Sequence, residues 1–143
     1  MTRATVLIVE DSPDIAQPLA DAFRFANFEV LLAPDARQAL QLAHERRPDL
    51  ILMDVQLPDM NGLAAAEILK EDPATRAIPI IAMTAYDIDA AQVKTVTRAC
   101  VGYAQKPIRP REIINLVEAV LKLPTPDQKS RGTKTPPPPR PTR

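Results

Sequence analysis

Hydrophobic residues follow two patterns along the first 123 residues of the chain. Val6–Val9 and Leu50–Met53 are continuous apolar runs of strand length, a pattern typical of strands buried on both faces of a parallel sheet. Between and after the strand-length runs, apolar residues recur every three or four positions, as Ile113, Val117 and Leu121 do, which predicts amphipathic helices. The predicted strands are 6–9, 29–32, 50–53, 78–83 and 103–105, and the predicted helices are about 13–26, 36–46, 63–70, 88–99 and 110 onward.

Residues that favour helix ends and breaks separate these segments. Ser12 is predicted to cap the first helix with Pro13 at its first position, Pro48 ends the second helix, and Pro79 interrupts the entry to the fourth strand. Strands that alternate with helices in this way predict an α/β sandwich with right-handed crossovers. The sheet is therefore expected to be parallel and covered by helices on both faces.

Several polar residues lie at or just past the ends of the predicted strands. In open parallel sheets, ligands bind at the carboxyl ends of the strands, near the point where the strand order reverses. The topology therefore predicts that these side chains converge at one edge of the sheet. They are Glu10, Asp11, Asp54, Thr84 and Lys106.

This set of residues suggests phosphate chemistry supported by a metal ion. Glu10, Asp11 and Asp54 would repel one another unless a cation offset their charge, and Mg²⁺ prefers a few carboxylates together with waters and phosphate oxygens. Taken singly, Asp11 could be a helix cap and Glu10 a solvated acid. Asp54 follows a buried strand and suits a carboxylate nucleophile, while Lys106 and Thr84 could bind phosphoryl oxygens.

These residues belong to short motifs along the chain, which are Glu10-Asp11, Asp54-(three residues)-Pro58-(three residues)-Gly62, Thr84-Ala85 and Tyr103-(two residues)-Lys106-Pro107. Together the motifs resemble the receiver domain of two-component response regulators, the CheY-like family. The resemblance spans Ala4 to about Leu123 and implies a flavodoxin-like (βα)5 fold, a doubly wound five-stranded parallel sheet in the order 2-1-3-4-5.

The resemblance implies a role for each matching residue. Asp54 would be the phosphorylated aspartate, and Thr84 and Lys106 would sense the phosphoryl group. Tyr103 would turn from an exposed to a buried rotamer as Thr84 moves, and the Lys106–Pro107 peptide bond would be cis. Mg²⁺ would be held by Glu10, Asp11, Asp54 and the backbone carbonyl of Gln56.

Two further positions are expected to tune the lifetime of the phosphorylated form. In the family, residues two after the phosphoacceptor and two after the threonine border the path of the attacking water, and here these are Gln56 and Tyr86. We hypothesise that the bulk of Tyr86 slows hydrolysis. The alternative is that Tyr86 simply packs on its loop.

The charge and composition of the chain bear on its binding partners and on where its folded domain ends. The 18 basic and 18 acidic residues balance, so net charge gives no argument for binding to nucleic acid or to a membrane. Residues 124–143 are rich in proline and carry a net charge of +4, and we expect them to form a disordered or polyproline-II tail beyond a receiver domain at residues 1–123.

Cysteine content and the N-terminal segment point to the cytoplasm. Cys100 is the single cysteine, which excludes an internal disulfide, and we expect it to be a small core residue. The apolar run at the N terminus is too short for a signal peptide or a membrane span. We therefore expect a cytoplasmic protein.

Three functional classes follow. The first is a stand-alone, non-metabolic response regulator that receives its phosphoryl group from a sensor histidine kinase or a histidine phosphotransfer protein. It would signal to a downstream protein, with a homodimer through the fourth helix, fifth strand and fifth helix as one option. The second is the receiver fragment of a DNA-binding regulator. The third is a phosphatase with an aspartyl intermediate, which is disfavoured because Gln56 replaces the usual second aspartate.

Overall fold

The computed structural model describes residues 3–85 and 88–123, which form five strands and five helices in strict alternation. Tyr86 and the tail at residues 124–143 lie outside the described residues. The elements are β1 (Thr5–Val9), α1 (Pro13–Phe25), β2 (Glu29–Ala33), α2 (Ala36–Arg46), β3 (Leu50–Asp54), α3 (Gly62–Glu71), β4 (Ile80–Thr84), α4 (Ala90–Ala99), β5 (Gly102–Gln105) and α5 (Pro110–Leu121).

The strands form one parallel sheet in the order β2-β1-β3-β4-β5, which confirms the predicted fold class. β3 and β4 are buried at every position, in agreement with their continuous apolar sequences. The strand order reverses between β1 and β3, so the carboxyl ends of these two strands border the crevice where such sheets bind ligands.

Helices cover the sheet on both faces. On one face α1 and α5 pack through residues such as Phe23 and Val117 against the side chains of Ile8 and Leu52. On the other face α2, α3 and α4 supply mainly small residues, and the alanines of α2 allow that helix to lie close to the sheet. Phe23 also makes an edge-to-face contact with Phe28, with 5.2 Å between the ring centroids.

The starts of β4 and α4 differ from the predicted ones, and the Ser12 side chain does not cap α1 in the described part of the chain. β4 begins at Ile80 rather than at position 78, since Pro79 has no N–H to donate to the sheet. α4 begins at Ala90 because Asp89 caps it, in a capping box with Gln92. Ser12 does occupy the N-cap of α1, but its side chain makes no capping hydrogen bond within the described residues.

None of the helices in the described part of the chain combines the length and apolar character needed to cross a membrane. Cys100 is half-buried against the core beside α3 and α4, which agrees only in part with the predicted core position. Burial raises the pKa of its thiol to about 11, so the side chain is a neutral packing residue at neutral pH.

Candidate functional site

Three carboxylates meet at the carboxyl edge of the sheet. Glu10 directly follows β1, Asp11 comes next, and Asp54 is the last residue of β3. One oxygen from each carboxylate lies within 4.8 Å of the others. The side chains of Glu10 and Asp54 are buried, with residue exposures of 4% and 2%, whereas Asp11 is open to solvent. The neighbouring strands thus bring together the three acids that the sequence placed at strand ends.

Lys106 brings a positive charge to this cluster from the loop that follows β5. Its Nζ lies 3.0 Å from Asp54 Oδ2, to which it donates a hydrogen bond, and 2.9 Å from Glu10 Oε1. Within the described residues, Glu10 Oε1 receives no hydrogen bond of acceptable geometry, so the second contact is an ion pair without a directed hydrogen bond. The Lys106 side chain is 16% exposed. It therefore neutralises part of the acidic charge from inside the pocket.

The remaining carboxylate oxygens are fixed by the backbone. Asp54 Oδ1 accepts a hydrogen bond of 3.0 Å from the N–H of Gln56, and Glu10 Oε2 accepts one of 3.2 Å from the N–H of Ser12. These bonds restrict the rotamers of both acids. The nucleophile predicted at Asp54 is therefore held in a single orientation, with one oxygen against Lys106 and the other against the following loop.

Burial and like charge both act on Glu10. Desolvation is the largest cause that raises its pKa, and the Asp54 carboxylate raises it further, while Lys106 opposes the shift. For Lys106, burial disfavours the charged form, but its contacts with Glu10 and Asp54 outweigh burial and raise the pKa of the ammonium. The three gathered carboxylates carry more negative charge than the single ammonium of Lys106 balances.

The donor set fits a hard divalent cation. Three carboxylate oxygens within one small radius, one buried oxygen of Glu10 without a hydrogen bond and an open side at Asp11 suit the oxygen ligation and partial hydration of Mg²⁺. The same set would be a poor site for a soft metal, because the cluster offers neither thiolate nor imidazole.

A close approach of two backbone segments shapes the loop beside the cluster. A Cβ at Gly62 would overlap the carbonyl oxygen of Asp54, so glycine is required where α3 begins. The N–H of Gly62 donates to the Val55 carbonyl at 2.7 Å, and the Asn61 side chain caps α3. The sequence showed Gly62 only as part of a motif, and the structure supplies its physical reason.

Three further predicted site residues, Thr84, Tyr103 and Pro107, belong to β4, to β5 and to the segment that follows β5. Thr84 ends β4 and is buried, and its carbonyl accepts a hydrogen bond of 2.7 Å from the N–H of Lys106. The Lys106–Pro107 peptide bond is cis. Tyr103 lies on the edge strand β5 and is 49% exposed. Gln56 is exposed beside Asp54, and Tyr86, the other predicted lifetime position, lies outside the described residues.

One acid in the loop between β3 and α3 was not singled out from the sequence. Both carboxylate oxygens of Asp59 accept hydrogen bonds, at 2.9 Å each, from the backbone N–H groups of Ala36 and Arg37 at the start of α2. No local pattern could have revealed this contact, because its partners are 22 and 23 residues away in the chain.

Comparison with known proteins decides the family. The family model for the response regulator receiver domain matches residues 6–118. The chain belongs to the response regulator receiver domain family. This receiver domain therefore belongs to two-component signalling rather than to a family of metabolic enzymes, and the resemblance drawn from the sequence motifs is confirmed.

Curated relatives include both short and long response regulators. The polar-differentiation response regulator DivK of Brucella anthropi is 36% identical over 117 residues, which covers 82% of this chain and 95% of that relative. The phosphate regulon transcriptional regulatory protein PhoB of Pseudomonas aeruginosa is 37% identical over 122 residues, 85% of this chain, but the match spans only 53% of PhoB.

Solved structures share the fold. A response regulator from Chloroflexus aurantiacus superposes with a TM-score of 0.77 at 30% identity, covering 83% of this chain and 98% of that one. The receiver domain of a sensor histidine kinase from Pseudomonas aeruginosa gives a TM-score of 0.76 at 28% identity with the same coverage, and that structure contains a magnesium ion coordinated in its active site cleft. Receiver domains bind Mg²⁺ in an acidic site of the kind seen here.

Proposed function

We propose that this receiver domain accepts a phosphoryl group on Asp54 from the phosphohistidine of a sensor histidine kinase or a histidine phosphotransfer protein. The observation that carries the proposal is the convergence of Glu10, Asp11 and Asp54 within 4.8 Å, with Lys106 bonded to the Asp54 carboxylate. A buried carboxylate at the end of a central strand, beside a fixed ammonium, is equipped to act as a nucleophile toward an anionic donor.

The transfer exchanges one bond to phosphorus for another. A carboxylate oxygen of Asp54 attacks phosphorus, the N–P bond of the donor phosphohistidine breaks, and the freed imidazole nitrogen recovers a proton from solvent. Glu10, Asp11, Asp54 and the Gln56 carbonyl would hold Mg²⁺, which when bound neutralises charge on the phosphoryl oxygens. Lys106 would move from the carboxylate toward a phosphoryl oxygen, and the Thr84 hydroxyl would donate to another.

Phosphorylation would then change a distant face. The phosphoryl group adds charge and acceptor oxygens, Thr84 is drawn toward them, and Tyr103 turns into the space that Thr84 leaves. The exposed side chains of Val93, Val101 and Tyr103 give the α4 and β5 part of this face an apolar surface, which supports a role in binding a downstream protein or a second copy of the chain. The size of the shift is limited by how much the phosphoryl group favours the active state.

Loss of the phosphoryl group is proposed to be slow and assisted by the same residues. Gln56 and Tyr86 would flank the approach of the attacking water, and the bulk of Tyr86 would hinder it. Tyr86→Ala is expected to shorten the lifetime of the phosphorylated form, measured by the decay of intact phosphoprotein mass. An unchanged decay rate would remove this role for Tyr86.

The chain is proposed to act in the cytoplasm as a single-domain response regulator. Its receiver domain would comprise residues 1–123 and be followed by the proline-rich segment 124–143. The DivK relative, which the match covers almost entirely, supports this organisation. The PhoB relative supports the second candidate, in which the receiver domain controls a DNA-binding output in a longer protein. The reading frame beyond Arg143 in the native gene distinguishes the two.

Incubation with acetyl phosphate and MgCl2, followed by intact-mass spectrometry, tests the proposed phosphorylation. Wild type is expected to gain the mass of one phosphoryl group, and Asp54→Asn to gain none. Removing Mg²⁺ with EDTA should suppress labelling of the wild type. Equal labelling of wild type and Asp54→Asn would contradict the proposal.

A further inference from the structure

We propose that Asp59 is a positioning residue that fixes the β3–α3 loop, residues 55–61, against the N terminus of α2 and so holds the Gln56 carbonyl in place for Mg²⁺. This inference rests on the proposed function, which assigns that carbonyl to the metal. Asp59 itself does not need to contact the metal or the phosphoryl group.

Asp59 caps the N terminus of α2 although it lies in a different part of the chain, the loop between β3 and α3. The first N–H groups of a helix have no partner within the helix and carry its positive dipole end. Asp59 accepts from the first two, those of Ala36 and Arg37, with one carboxylate oxygen on each. The bond to Ala36 is the largest of the causes that lower the pKa of Asp59, so the carboxylate is ionised at neutral pH.

The position of the β3–α3 loop matters because this loop carries the Gln56 carbonyl, which is assigned to the proposed metal site. At its first residue, Val55 donates to the Met83 carbonyl of β4 at 2.8 Å, and at its last residue Asn61 pairs with Gln56 in an isolated bridge. Gln56 is itself one partner of that bridge, and its N–H is used by Asp54. Among the hydrogen bonds described for residues 56–60, those of Asp59 are the ones that reach α2.

Asp35 provides a matched control at the same helix end. It is the N-cap of α2, and its Oδ1 accepts from the N–H of Gln38 at 2.8 Å. Both aspartates therefore stabilise the N terminus of α2 through hydrogen bonds to free N–H groups. They differ in one respect that matters here, since Asp35 belongs to the segment before α2 and Asp59 to the loop of the proposed metal site.

Isothermal titration calorimetry with MgCl2 distinguishes positioning of the Gln56 carbonyl from stabilisation of the N terminus of α2. We compare wild type, Asp35→Ala, Asp59→Ala and Asp59→Asn, with thermal melts in EDTA to record the loss of stability. Asp59→Ala is expected to raise the Mg²⁺ Kd by roughly threefold to tenfold, below the 10- to 100-fold effect of groups that touch a metal ligand directly. Asp59→Asn, which keeps one acceptor oxygen, is expected to fall between Asp59→Ala and wild type. Asp35→Ala is expected to lower the melting temperature while leaving the Kd within about twofold of wild type.

Labelling with acetyl phosphate at saturating MgCl2 gives the second readout. If Asp59 acts by positioning the carbonyl, saturating metal restores labelling of Asp59→Ala to the wild-type level. An unchanged Kd for Asp59→Ala or, should that variant not fold, for Asp59→Asn overturns the inference. An equal rise in Kd for Asp35→Ala also overturns it, because the effect would then come from α2 stability alone. Absence of Mg²⁺ binding by wild type overturns the proposed metal site, and the role of Asp59 with it.

Discussion

Two partly buried ion pairs lie at opposite ends of the sheet, and they differ in how completely their charges are satisfied. Before β1, at the amino edge, Arg3 pairs with Glu118 of α5 at 2.7 Å, donates to the Ala26 carbonyl at 3.0 Å and stacks over the Phe28 ring at 4.7 Å. At the carboxyl edge, Lys106 faces Glu10 and Asp54 with Asp11 close by. At the amino edge one positive charge is paired with one negative charge, whereas the carboxyl edge keeps an excess of negative charge.

The difference indicates what each pair does. The arginine pair links the N terminus to the end of α5, and its guanidinium has partners on several sides, so its contribution is to stability. The lysine site gathers three carboxylates around one ammonium, and their mutual repulsion costs stability unless a cation binds. The carboxyl edge is thus prepared for ligands at the expense of the fold, as is common at functional sites.

The largest expected effect comes from breaking the balanced pair. Glu118 is 3% exposed, and Glu118→Ala leaves the Arg3 guanidinium without its carboxylate. We expect a loss of about 3 kcal/mol in the free energy of unfolding, measured by urea denaturation. Mg²⁺ affinity should not change. A fall in Mg²⁺ affinity would show that the two ends of the sheet are coupled. Glu118→Gln, which keeps an acceptor for Arg3, is the milder control.

The second-largest expected effect is that Mg²⁺ stabilises the folded domain when it binds at the carboxyl edge of the sheet, where negative charge is in excess. At a free Mg²⁺ concentration of 100 times the Kd, the folded state is expected to gain about 2.7 kcal/mol, seen as a higher melting temperature than in EDTA. Asp11→Asn should lose most of this gain because it removes one of the three gathered carboxylates. Glu118→Ala should keep it. A melting temperature of wild type that does not respond to Mg²⁺ would refute the assignment of the acidic cluster as a metal site.

A third change tests whether the loop geometry serves the site. Gly62→Ala forces a Cβ into the Asp54 carbonyl oxygen, and the resulting backbone shift is expected to cost about 1 to 3 kcal/mol of stability. Because Asp54 itself moves, acetyl phosphate labelling should fall as well. Unfolding curves and intact mass measure the two effects. Full stability in Gly62→Ala would mean that the loop relaxes without strain.

The smallest effect concerns pH. The pKa of Asp59 lies below its ordinary value of 3.8, chiefly because of the Ala36 N–H, so the folded state favours the ionised form. Its stabilising contribution is complete above the unfolded-state pKa and is lost as the pH falls through the lower folded-state pKa. The difference in unfolding free energy between wild type and Asp59→Asn should therefore shrink in acid. A constant difference from neutral pH to acid would contradict the capping role.

The sequence predicted the elements that depend on local pattern. Continuous apolar runs located β3, and helical spacing together with Pro110 located α5. The site followed from topology, because parallel strands place their carboxyl ends at one edge and so bring Glu10 beside Asp54. These inferences need only the spacing of hydrophobic residues, the composition of each segment and the order of strands and helices along the chain.

Contacts between distant residues could not be predicted in the same way. The Arg3–Glu118 pair joins residues 115 positions apart, and the Asp59–Ala36 bond joins residues 23 apart. Nothing in the local sequence distinguishes these acids from solvated ones. Tertiary contacts decided both cases.

Chemical trapping of the acyl phosphate tests the central claim most directly. Protein incubated with acetyl phosphate and MgCl2 is reduced with borohydride, which converts a phosphorylated aspartate to homoserine, and the peptides are then sequenced by mass spectrometry. We predict homoserine at position 54, dependent on both donor and Mg²⁺. Homoserine at a different aspartate, or none in a sample whose intact mass shows phosphorylation, would contradict the account.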